Sequence, residues 1–155
     1  MAVRIVLQTG NTLLREKSKP VKNFSTPELE KLFDDLHDTL YAEDGAGLAA
    51  PQIGVLQRAV VIDAEDNYFE MANPVIISTK GEQTGAEGCL SVKGKQGTVT
   101  RPMKVKVEYR DRSGRKHTLT AEGFTARAVC HELDHLDGIL YTDIASEVHD
   151  LTPEE

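Results

Sequence analysis

Two histidines and a glutamate stand close together late in the chain, in the order His131-Glu132-Leu133-Asp134-His135. Four residues along a helix advance about 6 Å and turn about 400°, so both imidazoles leave one helix face. At that separation two ring nitrogens can reach one metal ion at about 2.0–2.1 Å. Glu132 lies about 100° round the helix, near enough to exchange a proton with water that the metal activates. The pattern predicts a metal-dependent hydrolase; the alternative is an amphipathic helix with two surface histidines.

A hydrolytic metal site uses three protein ligands and one open position, so a third ligand must come from elsewhere. The candidates are a carboxylate, a cysteine, or one of the other histidines, His37, His117 and His149. The best segment is 87–91 (EGCLS), where Cys89 follows several glycines that let the backbone turn and aim a thiolate. Cys130 is expected to be buried, pointing away from the ligand face. A Cys/His/His set suits zinc or ferrous iron.

A third segment, residues 45–52 (GAGLAAPQ), formally matches the dinucleotide-binding pattern G-x-G-x-x-A. The context excludes a nucleotide site, because a helix precedes the segment where a strand is required and Pro51 interrupts the following helix. Two glycines followed by a proline instead predict a rigid loop whose backbone can approach a ligand. Gln52 can donate from its side-chain amide there. A purely structural turn is the alternative.

Two helices are predicted to position these segments. The first opens at Thr26-Pro27-Glu28, with a capping residue, a proline and an acid in the first turn, and ends at Asp44-Gly45. It carries an apolar stripe of Leu29, Leu32, Phe33, Leu36 and Leu40. The second runs from 125 to 136, closes at Gly138 and contains the two ligand histidines.

Between the helices the periodicity predicts strands. Short β-branched runs occupy 57–63 and 74–78, and 104–110 (KVKVEYR) alternates strictly between apolar and charged residues. Residues 111–114 form a hairpin turn and 116–121 return as the partner strand. The sequence therefore predicts an α+β fold with mostly antiparallel strands, an N-terminal helix, and a metal-bearing helix near the C-terminus that packs on the sheet.

The composition bounds the class of protein. The chain has 155 residues with 25 acidic and 18 basic side chains, a net charge of −7. This excess of acid gives no support for DNA binding, which needs a basic footprint. No apolar run approaches the roughly 20 residues that span a bilayer, and the start MAVRIVLQTG does not match a secretion signal. We expect residues 1–155 to form one domain in the cytoplasm, without membrane contact.

Taken together, the three segments resemble the signature motifs of the peptide deformylases, in the order and at about the spacing of that family. The resemblance extends to Leu14-Arg15, Asn73-Pro74, Arg101-Pro102 and residues 123–143. It covers nearly the whole chain. It implies hydrolysis of the N-formyl group from the N-terminal formylmethionine of newly made polypeptides, with release of formate.

The resemblance also implies roles for individual residues. Cys89, His131 and His135 would hold one divalent metal, usually Fe²⁺ in the family, for which Zn²⁺, Ni²⁺ or Co²⁺ can substitute. Glu132 would act as general base and then as general acid. An ion pair of Glu87 with Arg101 would support the metal site. The remaining implied residues are Gln52 and Leu90, which would stabilise the oxyanion through a side-chain amide and a backbone N–H; Gly47 and Gly88, which would bind the peptide backbone; and Ala46, Phe124 and Ala128, which would line the methionine pocket.

Three features depart from the family pattern. Lys93 stands where a proline is usual, which gives a charged and more flexible loop at the substrate channel. Ala46 is smaller than the usual aliphatic residue. Some relatives continue into a basic C-terminal helix that contacts the ribosome, whereas the tail here is short and acidic (residues 151–155), so ribosome contact is possible but unsupported.

Two other functions compete with a deformylase. H-E-x-x-H also marks metallopeptidases, although those typically use a His or Glu as third ligand. A catalytically inactive binding module stabilised by metal is the second competitor. Activity on formylated peptides rather than on internal amides would distinguish the first, and any turnover would exclude the second.

Overall fold

The protein is described from a computed structural model covering residues 2–151. Residues 152–155, the end of the acidic tail, lie outside that range. The expectation about ribosome contact rests partly on these residues. Three α-helices are described: α1 Pro27–Glu43, α2 Gly123–Leu136 and α3 Tyr141–Ile144. The strands are β1 Gly47–Ala49, β2 Ala59–Ala64, β3 Asn67–Lys80, β4 Gln83–Cys89, β5 Val92–Arg101, β6 Lys104–Arg110, β7 Lys116–Glu122 and β8 Glu147–Asp150. Thr12–Arg15 and Ala50–Ile53 are short 3₁₀-helices.

The strands form two sheets in which every neighbouring pair is antiparallel. The larger sheet has the order β1-β2-β3-β6-β7 and the smaller β4-β5-β8. With α1 near the N-terminus and α2 near the C-terminus, this confirms the predicted α+β class. Neither long helix has the apolar composition needed to cross a bilayer within residues 2–151.

Helix α1 begins and ends where the sequence predicts. The Thr26 hydroxyl accepts a hydrogen bond from the backbone N–H of Leu29 at 3.2 Å and caps the first turn. Asp44 adopts a left-handed conformation, with φ at 54°, and stops the helix. The chain is then free to turn into Gly45 and strand β1.

Strand β2 is the centre of the larger core because it is buried on both faces. Val60 and Ile62 belong to the apolar cluster that α2 covers, whereas Ala59 and Val61 belong to the cluster that α1 covers. The two helices therefore lie on opposite faces of the larger sheet. Burial on both sides explains why β2 lacks an alternating pattern in the sequence.

The hairpin of β6 and β7 follows its prediction closely. The two strands pair in register from Lys104 with Glu122 to Arg110 with Lys116. Asp111 closes the turn by accepting backbone hydrogen bonds from Ser113 at 2.9 Å. Strict alternation identifies such a strand because one face is buried and the other is solvated.

Other strands differ from the prediction. Strand β3 covers Asn67–Lys80, much longer than the predicted 74–78. The pairing of β3 with β6 shifts register next to Asn73, which has φ at 50°, and the Asn73 side-chain amide bonds both backbone groups of Val21 at 2.8 and 2.9 Å. This long-range contact holds a β-bulge that the sequence presents only as a turn signal.

The smaller sheet was not predicted as strands. Strands β4 and β5 contain Gly85, Gly88, Gly94 and Gly97, residues with low strand propensity. Beneath this sheet lies a small buried cluster of Val92, Val99, Leu140 and Tyr141. The metal-candidate cysteine, Cys89, is the last residue of β4.

Candidate active site

Helix α2 presents one apolar face to the larger sheet and one polar face to a cleft. Ala126, Val129, Leu133 and Leu136 pack in the core. The polar side includes Glu132 and both histidines of the H-E-x-x-H pattern, which are themselves buried. The rings of His131 and His135 lie 5.0 Å apart between centroids, one helical turn from each other as predicted.

The Cys89 sulfur reaches the histidine pair. It lies 3.3 Å from His135 Nε2, and one ligand atom of each of Cys89, His131 and His135 falls within 4.8 Å of the others. Ligands at about 2.0–2.3 Å around one tetrahedral ion are separated by distances of this order. His37, His117 and His149 are not part of the cluster. The partly exposed sulfur and the two buried imidazoles therefore fit a single thiophilic divalent ion.

The carboxylate of Glu87 orients His131. Glu87 Oε1 lies 2.6 Å from His131 Nδ1, which leaves Nε2 directed toward Cys89. The predicted pair with Arg101 is present, with Nε and Nη2 of Arg101 donating to the two oxygens at 3.0 and 2.7 Å. Burial alone would raise the pKa of Glu87, but the hydrogen bonds from His131 and Arg101 outweigh it and lower the pKa to about 2.

The network around Glu87 contains two residues that the sequence analysis missed. Arg127 Nη1 donates to Glu87 Oε2 at 2.7 Å, and Arg101 Nη1 donates to Asp134 Oδ2 at 2.7 Å. Arg127 stands one helical turn before His131, so the spacing rule that identified the histidines could also have placed it on the same face.

Glu132 is a buried acid at the floor of the cleft. Burial is the largest influence on it and raises its pKa to about 7. Its Oε1 has no hydrogen-bond partner among the described protein atoms. A Cβ added to Gly47 would lie 2.7 Å from Glu132 Cγ and Oε2, so only glycine lets strand β1 approach this acid so closely.

The Gln52 side chain is fixed at both ends of its amide. Its Oε1 accepts from the backbone N–H of Ala49 at 2.9 Å, and its Nε2 donates to Ser91 Oγ at 3.0 Å. The same nitrogen lies 3.7 Å from Cys89 Sγ. The predicted donor of the Gly-rich loop is therefore next to the metal-candidate thiol, although Ser91 was not recognised as its partner.

An N-terminal segment, residues 7–9, ties two of these loops together. The backbone N–H of Leu7 donates to Gln52 O at 2.8 Å, and that of Thr9 donates to Ser91 O at 2.7 Å. Gln8 Nε2 donates to Leu90 O at 2.9 Å. This segment had no signal in the sequence, because its contacts lie more than forty residues away along the chain.

These elements surround a cleft of about 360 Å³. Its walls include all the predicted site residues except His135: Ala46, Gly47, Gln52, Gly88, Cys89, Leu90, Phe124, Ala128, His131 and Glu132. Phe124 is 51% exposed at the rim, whereas Ala128 is buried deeper. A larger cavity of about 660 Å³ lies between residues 19–23 and α1, and it contains none of these residues.

Two further expectations concern the rim and the thiols. Lys93, the residue that departs from the expected proline, lies on the rim of the cleft. Its Nζ is 3.5 Å from Glu43 Oε2, so an ion pair connects this loop to the end of α1. Both cysteines are free, and Cys130 is buried as predicted.

A thiol, two imidazoles and a buried acid around one cleft define the site of a metal-dependent hydrolase.

Comparisons with known proteins agree with that class. A profile of the family described as polypeptide deformylase matches residues 3–150. The peptide deformylase of Thermoanaerobacter pseudethanolicus is 50% identical over 94% of this chain and 91% of its own. That of Lachnoclostridium phytofermentans is 51% identical over 98% of this chain and 95% of its own.

Solved structures give the same result. The peptide deformylase of Thermotoga maritima superposes with a TM-score of 0.91 at 34% identity, covering 95% of this chain and all of the other. The Legionella pneumophila enzyme gives 0.89 at 42% identity, with 94% and 87% covered. The chain belongs to the peptide deformylase family of metal-dependent hydrolases, which remove the N-formyl group from nascent polypeptides.

Proposed function

We propose that this cleft hydrolyses the formyl amide of an N-terminal formylmethionine with Cys89, His131 and His135 as metal ligands. The observation that carries the proposal is the approach of Cys89 Sγ to the histidine pair, 3.3 Å from His135 Nε2, beside the buried acid Glu132. Neither a metallopeptidase with a His or Glu third ligand nor an inactive module accounts for this arrangement together with the family membership.

We propose Fe²⁺ as the resident ion and expect Zn²⁺, Ni²⁺ or Co²⁺ to substitute, because a thiolate with two imidazoles accepts each of them. When bound, such an ion supplies Lewis-acid polarisation of the formyl oxygen and makes water acidic enough to attack near neutral pH. By bonding Nδ1, Glu87 would keep His131 in the tautomer whose Nε2 lone pair is free to hold the ion.

Glu132 moves the protons of the reaction. Its burial and raised pKa suit a group that takes a proton from the attacking water and later returns it. The water oxygen bonds to the formyl carbon, the carbon–nitrogen bond then breaks, and the proton held by Glu132 passes to the leaving amine. The products are formate and a peptide with a free N-terminus.

Gln52 and Leu90 stabilise the negative oxygen that develops on the formyl group. Ser91 and Ala49 hold the Gln52 amide rigidly, so its Nε2 needs little reorganisation during the reaction. The backbone N–H of Leu90, which follows Cys89 directly in the chain and lies in the cleft wall, is the second proposed donor. Each preorganised donor of this kind contributes about 3–4 kcal/mol to the transition state.

The rest of the cleft binds the peptide. Gly47 lies in edge strand β1 and Gly88 in edge strand β4, so both sheets offer backbone groups to an extended chain. Ala46, Phe124 and Ala128 line the space for the methionine side chain. We further propose that the chain acts as one catalytic domain in the cytoplasm, where formylated nascent chains arise.

Anaerobic purification followed by elemental analysis and a formate-release assay tests the proposal. One equivalent of iron with rapid formate release from formyl-Met peptides, and no cleavage of internal amides, is the expected result. Glu132→Gln should abolish turnover while the metal content stays the same, because the glutamine cannot carry the proton. Turnover that survives this change would remove Glu132 from the mechanism.

A further inference from the structure

Arg127 is a buried cation on the same face of α2 as the ligand histidines. Residues 127, 131 and 135 are spaced by four, so Arg127 continues the line of metal ligands by one turn toward the N-terminus of the helix. Its side chain is only 7% exposed. A guanidinium at that depth is costly unless it is paired, and its carboxylate partner is Glu87.

Glu87 attaches to helix α2 at two points. Its Oε2 accepts from Arg127 Nη1 at 2.7 Å, and its Oε1 contacts His131 Nδ1 at 2.6 Å. Each oxygen thus has its own partner on consecutive turns of one helix. Arg101 also donates to both oxygens, at 3.0 and 2.7 Å, so the two-point attachment to α2 adds to a carboxylate already paired on its own sheet and sets its position relative to the helix.

Arg127 also joins the helix to the smaller sheet. Its Nη1 donates to the backbone carbonyl of Val99 on β5 at 3.1 Å, while Glu87 belongs to β4. Arg101 approaches Glu87 from β5 and divides its donors between Glu87 and Asp134. Arg101 therefore links Glu87 to β5 and reaches α2 through Asp134, whereas Arg127 joins Glu87 directly to the helical turn that precedes His131.

We propose that Arg127 is a positioning residue of the metal centre, which acts through Glu87 to hold His131 in its metal-binding orientation. The inference rests on the proposed ligand set of Cys89, His131 and His135. Arg127 adds no ligand and performs no chemistry; it limits the movement of the carboxylate that orients one ligand.

The test measures metal affinity by competition between a chelator and protein loaded with Co²⁺, with the Co²⁺ absorption spectrum recorded alongside. Arg127→Met should weaken Co²⁺ binding about tenfold or more, as loss of an outer partner of a ligand usually does. The d–d bands should also shift, because Glu87 then holds His131 less firmly. Arg127→Lys should recover part of the affinity, since an ammonium can still donate to Glu87.

Arg58→Met is the matched control. Arg58 is also largely buried, with its side chain 19% exposed, and it bonds Leu136 O at 3.1 Å and Asp137 at 3.1 Å at the other end of the same helix. Its loss should lower the melting temperature and change Co²⁺ affinity by less than about twofold, because it shares no partner with the metal centre.

The outcomes separate the two proposals. Wild-type affinity in Arg127→Met, or an equal loss in Arg127→Met and Arg58→Met, would overturn the positioning role. If Arg127→Met does not fold, Arg127→Lys decides: a folded variant with wild-type affinity and spectrum overturns the role. Failure of the wild-type protein to bind one equivalent of Co²⁺ would instead contradict the proposed ligand set itself.

Discussion

The two sheets of this protein are held in place by different kinds of interaction. The larger sheet packs between α1 and α2 through apolar side chains, with β2 buried on both faces. Among residues 2–151, the smaller sheet has a buried apolar cluster of four residues, and the charged network centred on Glu87 connects it to α2. The site residue Cys89 belongs to this second sheet.

The difference shows why a metal site is placed beside polar packing. Apolar contacts are non-directional, so they hold a helix against a sheet but do not define the rotation of one side chain. Charge-assisted hydrogen bonds are directional, and Glu87 uses them to fix His131. Their disadvantage is that removing one partner leaves a buried charge uncompensated.

The largest expected effect is on the free energy of unfolding, from a change in the larger sheet. Ile62→Ala, at a fully buried position of β2, should lower it by about 2–5 kcal/mol, because the missing methyl groups leave a cavity. Urea denaturation measures the change, and Val75→Ala, at an exposed position of β3, is the control with an effect below about 0.5 kcal/mol. If Ile62→Ala also weakened metal binding strongly, the roles of the two sheets would not be separable.

A change in the cleft, at the contact between strand β1 and Glu132, should affect activity instead. Gly47→Ala places a methyl group 2.7 Å from Glu132 Cγ and must displace the acid, so formate release should fall about 100-fold with little loss of stability. Gly85→Ala is the control, because its added Cβ lies 3.5 Å from the nearest atom, Arg127 Nη2, an ordinary contact. Equal rates for Gly47→Ala and the wild type would mean that Glu132 does not need its present position.

The smallest expected effect is a pH-dependent loss of stability at Asp35, a buried acid of helix α1, which packs on the larger sheet. Burial alone would raise the pKa of Asp35, but hydrogen bonds from Lys31 at 2.7 Å and Arg4 at 3.1 Å lower it overall. A lowered folded-state pKa stabilises the fold above the unfolded value of about 3.9 and loses that contribution as the pH falls through the folded value.

Asp35→Asn should therefore be less stable than the wild type near neutral pH, and the gap should close as the medium is made more acidic than about pH 4. Thermal melts across this pH range measure the difference in stability between the variant and the wild type. Asp66→Asn, in the exposed turn before β3, is the control because it removes the same charge. A gap that stays constant down to the lowest pH would show that ionisation of Asp35 is not the cause.

The sequence predicted the elements whose signals are local. The Thr26 cap located the start of α1, alternation located β6 and β7, and the four-residue spacing brought His131 and His135 to one face. Strands β4 and β5 could not be predicted, because their glycines have low strand propensity and only pairing with each other makes them strands. Spacing and residue type gave the roles of His131, Glu132 and His135, whereas those of Leu90, the two glycines and the pocket residues came from the family resemblance.

The partners of those site residues were harder to predict than the residues themselves. Ser91 on Gln52 and residues 7–9 on both loops are contacts across long stretches of chain, which no local pattern reports. Arg127 was accessible in principle through its spacing from His131. Its burial, however, depends on Glu87 and Val99 arriving from another sheet.

The hydrogen bonds of residues 7–9 have a consequence for how the molecule assembles. They join the beginning of the chain to Gln52, Leu90 and Ser91, while the histidines come from near its end. Contacts between such distant segments form late, since each must first overcome the entropy of closing a long loop. Metal uptake by a folding chain should thus report the completion of the whole tertiary structure, and a folding intermediate should bind the ion poorly.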